Sequence, residues 1–112
     1  MTELLKNMKC KPCSGNTLNM NQKEILLNLD KINNWEINNE KKMIYKKFKF
    51  KNFKKSLEFS NHVGKIAEEE GHHPDLWFGW GYARIKIFTH AIKGLAESDF
   101  ILAAKIDKIS NV

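Results

Sequence analysis

Arginine is almost missing from this chain. Arg84 is its single guanidinium among 19 lysines and arginines, which stand against 13 aspartates and glutamates for a net charge of +6. Arginine is the side chain that grips base edges and phosphates bidentately, so its scarcity speaks against a protein that reads nucleic-acid sequence. The lysine-heavy exterior reads as a solvated basic surface, and no direct nucleic-acid partner is expected. Cysteine is as sparse: Cys10 and Cys13 are the two thiols. A C-x-x-C pair with no second C-x-x-C or H-x-H is at most half a zinc site, and no strand-to-helix pattern around it supports a redox motif. A free, inert pair in a mobile tail is the simpler reading. No apolar run approaches the roughly 20 residues of a membrane span. The opening MTELLKNMKCKPC carries neither an apolar signal core nor an Arg/Ser-rich transit pattern, so a cytoplasmic location is expected. A Gly-rich phosphate loop is also lacking.

What remains is the pattern of one small domain. At 112 residues such a chain hides about 60–70% of its unfolded surface, and oligomerisation is a natural supplement. Residues 1–20 mix Lys, Asn, Ser and Gly around Pro12 and read as a flexible N-terminal arm; residues 21–112 read as the domain. A short helix opens at Asn21–Glu24 and carries Ile25, Leu26 and Leu29 on its stripe. Trp35–Ile37 and Lys42–Phe50 follow as strands, with Asn38-Asn39 as a turn able to take positive φ. Ile44, Phe48 and Phe50 share one face, opposite Tyr45, Lys47 and Lys49. Asn52 caps a second helix that Gly71 stops. Its apolar arc takes in Phe53, Leu57, Phe59, Val63, Ile66 and Ala67. Strands at Leu76–Trp80 and Tyr82–Thr89 form a hairpin, with Ile85 and Ile87 facing the core. The last helix spans about Glu97 to Ile109 and is apolar on two sides, one for the sheet and one for another subunit. The order helix-strand-strand-helix-strand-strand-helix, with strands in hairpin pairs, predicts an α+β fold. It comprises a four-stranded antiparallel sheet with three helices on one face.

Three of the four histidines crowd one stretch, EEEGHHPDLWFGWGYARIKIFTHAIKGLAESD, from Glu68 to Asp99. The fourth, His62, falls on the polar side of its helix. Imidazole titrates nearest neutrality and can give or take a proton at pH 7. His72 and His73 follow a helix stop and precede Pro74, which biases His73 towards an extended shape. Neighbours in an extended stretch point opposite ways, so the two rings do different jobs. His90 ends the following hairpin and can return towards them. Adjacent histidines chelate one ion poorly, and neither H-x-H nor H-x-x-x-H spacing is present, so no metal is expected. No activated serine or cysteine accompanies them, which disfavours covalent catalysis. Acid–base work is left.

Glu68, His72-His73-Pro74, Trp80, Thr89-His90 and Asp99, at these intervals, resemble the signature of the pterin-4a-carbinolamine dehydratases. The similarity runs from the first helix, through Trp35 and Phe48-x-Phe50, to FILAAKID at Phe100–Asp107. The resemblance implies dehydration of a 4a-hydroxytetrahydropterin to the quinonoid dihydropterin, part of pterin cofactor recycling. It implies no metal or organic cofactor, and assembly as a homodimer or homotetramer. His72, His73 and His90 would supply the catalytic groups, without a decision on which is acid and which base. Glu68 would orient a histidine, and Trp80, or Trp77, would face the flat ring. Asp99 has two readings, support for the site or a cap on the last helix. Two positions depart from animal members, Gly71 before the histidine pair and Ser98 before Asp99; Ala96 also lacks the usual hydroxyl cap. A second class of function remains open: a non-catalytic oligomeric interaction module, since animal relatives also act as dimerisation cofactors of a homeodomain transcription factor.

Overall fold

The computed structural model describes residues 4–10 and 19–110. Three helices, α1 (Gln22–Leu29), α2 (Phe53–Glu70) and α3 (Glu97–Ser110), pack with a four-stranded sheet. Its strands are β1 (Glu36–Ile37), β2 (Ile44–Lys49), β3 (Asp75–Gly79) and β4 (Tyr82–Ile87), in the spatial order β1-β2-β4-β3, all antiparallel. The predicted fold class and element order are both present. β2 and β3 flank β4 from opposite sides, and α2 carries the chain between them.

Local chemistry sets most boundaries. Asn21 caps α1 in a capping box with Glu24. Asn52 accepts from the Lys55 N–H at 2.9 Å to open α2, and Gly71, at φ 64°, closes it in the left-handed region that glycine tolerates best. The β1–β2 turn differs from expectation. Neither asparagine supplies a positive φ; Lys41 does, at 55°. Asn38 instead uses its side-chain oxygen, accepting from the N–H groups of Lys42 and Met43.

The core lies between sheet and helices. Ile44, Ile85 and Ile87 of the sheet meet Val63 of α2 and Phe100, Ile101, Leu102 and Ile106 of α3, all essentially without solvent exposure. The buried arc of α2 is narrower than its sequence suggests. Ser56, Phe59, Ser60, Val63 and Ala67 face inward, while Phe53 and Leu57 stay exposed. Small serines let the helix sit close: Ser56 Oγ donates to the Gly79 carbonyl of β3 at 2.5 Å, and Ser60 Oγ to the Ser56 carbonyl.

The second apolar stripe of α3 also finds its partner inside the chain. Phe100 and Ala103 are fully buried, and a short 3-10 turn at Leu5–Asn7 lies against α3 with Leu5 buried. Residues 4–10 are therefore packed on the domain. Cys10 N–H donates to Glu70 at 2.8 Å, and its thiol donates to the Ser98 carbonyl. Burial, with the neighbouring Glu70 carboxylate, pushes the Cys10 thiol up to about 12, so it stays protonated and unreactive at neutral pH. Burial works against ionisation of Glu70, but the Cys10 N–H and the Lys105 ammonium hold its carboxyl below the ordinary value. Cys13 and Pro12 lie outside the described residues.

One buried ion pair ties α3 to the sheet. Asp107 accepts from Lys46 Nζ at 2.8 Å, from Trp35 Nε1 at 3.0 Å and from the Asn33 N–H at 3.1 Å. Removing this carboxylate leaves a lysine ammonium that is only 14% exposed without its counter-ion, with the Asn33 carbonyl as an acceptor that remains. Asp107→Ala is therefore expected to lower unfolding free energy by about 3 kcal/mol in urea titrations; Asp107→Asn, which keeps an acceptor, loses less. An unchanged midpoint for Asp107→Ala would show that the network contributes nothing.

Candidate active site

The C-terminal stop of α2 delivers the histidines. With Gly71 left-handed, the His72 N–H folds back onto the Ala67 carbonyl at 3.2 Å, a Schellman-type closure. The chain then runs extended through His73 and Pro74 into β3. This throws the two imidazoles to opposite sides, as the spacing predicts. His72 turns inward and is 8% exposed. His73 turns outward, where its Nε2 meets Glu68 Oε2 at 2.5 Å, with both side chains well exposed.

Inside, Asp99 is the junction. It has no exposure to water. Its Oδ1 lies 2.6 Å from His72 Nε2; its Oδ2 accepts from Thr89 Oγ1 at 2.7 Å and from the Ala96 N–H at 2.8 Å. Asp99 is the third residue of α3, so the Ala96 contact is the backbone half of a capping box, formed without a hydroxyl at Ala96. The helix terminus favours the negative charge there. Asp99 therefore caps α3 and holds the His72 ring by one nitrogen. With Asp99 ionised, the carboxylate can only accept, and the short contact then requires the proton on His72 Nε2.

Thr89 leads directly to His90. The Thr89 N–H donates to the Gly94 carbonyl at 2.8 Å, closing a bridge around a single 3-10 turn, His90–Ile92. His90 starts that turn, exposed, with its ring against Phe88 at 4.2 Å between centroids. Because β3 and β4 are antiparallel, with Asp75 opposite Lys86, the start of β3 and the end of β4 share one end of the sheet. His72, His73, Glu68, Pro74, His90 and Asp99 are thus grouped at that end. Trp80 is not. It sits at the bend between β3 and β4, 72% exposed, at the far end of the hairpin. Six residues of extended chain separate it from Pro74, about 20 Å. Trp77 lies on the outer face of the sheet, with Lys86 Nζ 5.5 Å from its ring centre.

Thr89 and the Ala96 N–H are the participants that spacing alone does not disclose. Thr89 stands beside His90 in the sequence, but its hydroxyl becomes a site element only when α3 folds back over the end of β4. Among the described residues, no three His, Cys, Asp or Glu side chains converge where a cation could sit.

The fold is that of an antiparallel α+β domain. The chain belongs to the pterin 4 alpha carbinolamine dehydratase family, whose sequence model matches residues 18–109. A Rickettsia bellii protein is 48% identical over 107 residues, 96% of this chain and 95% of its own length. A Halorhodospira halophila protein is 44% identical over 105 residues, covering 94% and 96%. Both are named as pterin-4-alpha-carbinolamine dehydratases on a provisional basis. Among solved structures, a transcriptional coactivator/pterin dehydratase from Brucella melitensis superposes with a TM-score of 0.79 at 25% identity, over 83% of this chain and 99% of that one. A pterin dehydratase-like RuBisCO assembly factor of the alpha-carboxysome shares the fold, with a TM-score of 0.61 at 24% identity over 70% of this chain and 90% of that one.

Thr89→Val is nearly isosteric and deletes one donor to a buried carboxylate. It is expected to cost about 2 kcal/mol of stability by urea titration, whereas Thr89→Ser, which keeps the hydroxyl, costs clearly less. Equal losses for the two variants would show that the hydroxyl is not what matters.

Proposed function

We propose that this chain dehydrates a 4a-hydroxytetrahydropterin to the quinonoid dihydropterin by histidine acid–base catalysis. The observation that carries the reading is the juxtaposition at one sheet end of two histidine–carboxylate pairs, His72–Asp99 and His73–Glu68, in a chain of this family. The substrate holds a hydroxyl on C4a and a proton on the adjacent ring nitrogen. In the reaction the C4a–O bond breaks, the hydroxyl leaves as water with a proton from an acid, and a base removes the nitrogen proton as the C4a=N bond forms. Each proton transfer of this kind is worth about 10²–10⁴-fold.

The carboxylates position the imidazoles for this work. Asp99 holds His72 by Nε2, which leaves Nδ1 as the nitrogen through which that ring would meet a substrate. Glu68 fixes the ring of the exposed His73 by its contact with Nε2. His90, on its turn beside Thr89, is the third catalytic candidate, and Pro74 keeps the two neighbouring rings apart. Trp80, placed at the far bend, would reach a pterin only at a site of another subunit. The partners under this reading are the pterin and further copies of the chain in a homodimer or homotetramer, with exposed Phe53 and Leu57 of α2 offering an apolar patch. No metal or organic cofactor enters the reaction.

A second reading is a non-catalytic interaction module. It is favoured by the coactivator name of one structural neighbour. That role makes no use of the exposed His73–Glu68 pair. The two separate in a rapid-mixing assay that follows the ultraviolet change of a 4a-hydroxytetrahydropterin. The wild-type chain accelerates loss of water. His72→Ala, His73→Ala and His90→Ala each slow it by tenfold or more while retaining native circular dichroism, and EDTA leaves the rate unchanged. A wild-type rate equal to the uncatalysed one, or one that none of the three variants alters, would eliminate the catalytic reading.

A further inference from the structure

The sheet has a second face that the proposed site does not use. Strand register lays three rows across it. Asp75, Lys86, Tyr45 and Glu36 form the first; Trp77, Arg84 and Lys47 the second; Gly79, Tyr82 and Lys49 the third. Their neighbours in sequence, Ile44, Phe48, Ala83, Ile85 and Ile87, are the core residues, so period-two alternation puts these rows on the side away from the helices. Four cations stand there against two carboxylates, and both carboxylates sit on the outer strands. Aromatic rings are set among the charges. Trp77 is 50% exposed and Tyr45 40% exposed. Lys47 Nζ lies 5.4 Å from the centre of the Tyr82 ring, as Lys86 does over Trp77. A shallow cavity of about 740 Å³ opens over Tyr45, Lys47, Trp77, Arg84 and Lys86.

A solvated sheet face needs charges, but it has no use for a half-exposed tryptophan. A second copy of the same face is an unsuitable cover, because the two cationic arrays would oppose each other. An acidic polypeptide would satisfy the charges and leave the ring faces idle. A ligand that offers both flat rings and regularly spaced negative charge uses everything the face presents. We infer that the outer sheet face is a platform for single-stranded nucleic acid, with bases stacking on Trp77 and Tyr45 and phosphates drawn to Lys47, Lys49, Arg84 and Lys86. The scarcity of arginine excludes base-edge readout, not this mode, which reads no sequence. Stacking and phosphate attraction make no use of the 2′-hydroxyl, so RNA and DNA strands are bound alike.

The test is fluorescence anisotropy with labelled 12-mers of oligo(U) and oligo(dT), titrated with the full chain. Neutralising four phosphates sets a log–log salt slope of about −3, so affinity falls about fifty-fold between 50 and 200 mM salt. Trp77→Ala weakens binding about tenfold. The pair Lys47→Gln, Arg84→Gln weakens it further and flattens the slope. Lys23→Gln and Lys31→Gln, away from the sheet, change neither, and all variants keep native circular dichroism. No binding at 50 mM salt would overturn the proposal. So would equal weakening by the distant lysine variants, or indifference to Trp77→Ala, since either marks general attraction to a basic protein. Displacement of the oligonucleotide by poly-glutamate at equal charge concentration would also overturn it and point to an acidic polypeptide instead.

Discussion

A carboxylate shut away from water has to be met by donors, and Asp99 draws three of them from three separate parts of the chain. The His72 imidazole comes from the stop of α2, the Thr89 hydroxyl from the end of β4, and the Ala96 N–H from the entry to α3. Leaving any of them unpaired costs about 1–3 kcal/mol, so α2, β4 and α3 hold one arrangement at this end of the sheet. The same bonds fix the inward histidine by one nitrogen. The constraint that closes the fold here is also the one that orients the His72 imidazole, which is why fold and candidate site are hard to separate in this molecule.

The two faces of the sheet divide the remaining tasks. Towards the helices, apolar side chains and the Lys46–Asp107 pair hold the layers together. Away from them, alternate residues of the same strands carry lysines and aromatic rings. Period-two alternation makes the division possible in a small chain: a six-residue strand such as β2 supplies Ile44, Lys46 and Phe48 to one side and Tyr45, Lys47 and Lys49 to the other. The docking of Leu5 on α3 adds to the apolar layer without lengthening the domain. It also covers part of the second apolar side of α3 that, in sequence, suggested a subunit contact, and leaves Ala104 partly exposed.

Where a feature depended on one residue and its neighbours, it could be read directly. Asn52 as a cap, Gly71 as a stop, the divergence of His72 and His73, and the core face of β4 are of this kind. Asp99 was legible as a cap because it stands at a helix start; its contact with His72 needed the fold to bring the end of α2 to the start of α3. Features that depend on distant segments were not legible. Thr89 needs α3 above it before its hydroxyl has a partner. Phe53 and Leu57 lie on a plausible apolar arc, but Ser56 and Ser60 bring α2 so close to β3 that the arc narrows and leaves both outside. Trp80 shared a motif with the histidines, yet the hairpin carries it to the other end. Asn38 was a sound turn signal whose side chain, rather than its backbone angle, did the turning.

The decisive quantity is the position of one proton. Long-range ¹H–¹⁵N correlation spectra of the imidazoles report which nitrogen of a neutral ring carries hydrogen. With Asp99 as an ionised acceptor, the His72 ring must be protonated on Nε2, and Asp99→Asn must disturb that signal while sparing the signal of His62. A His72 ring protonated on Nδ1 instead, or one indifferent to Asp99→Asn, would contradict the account at its centre.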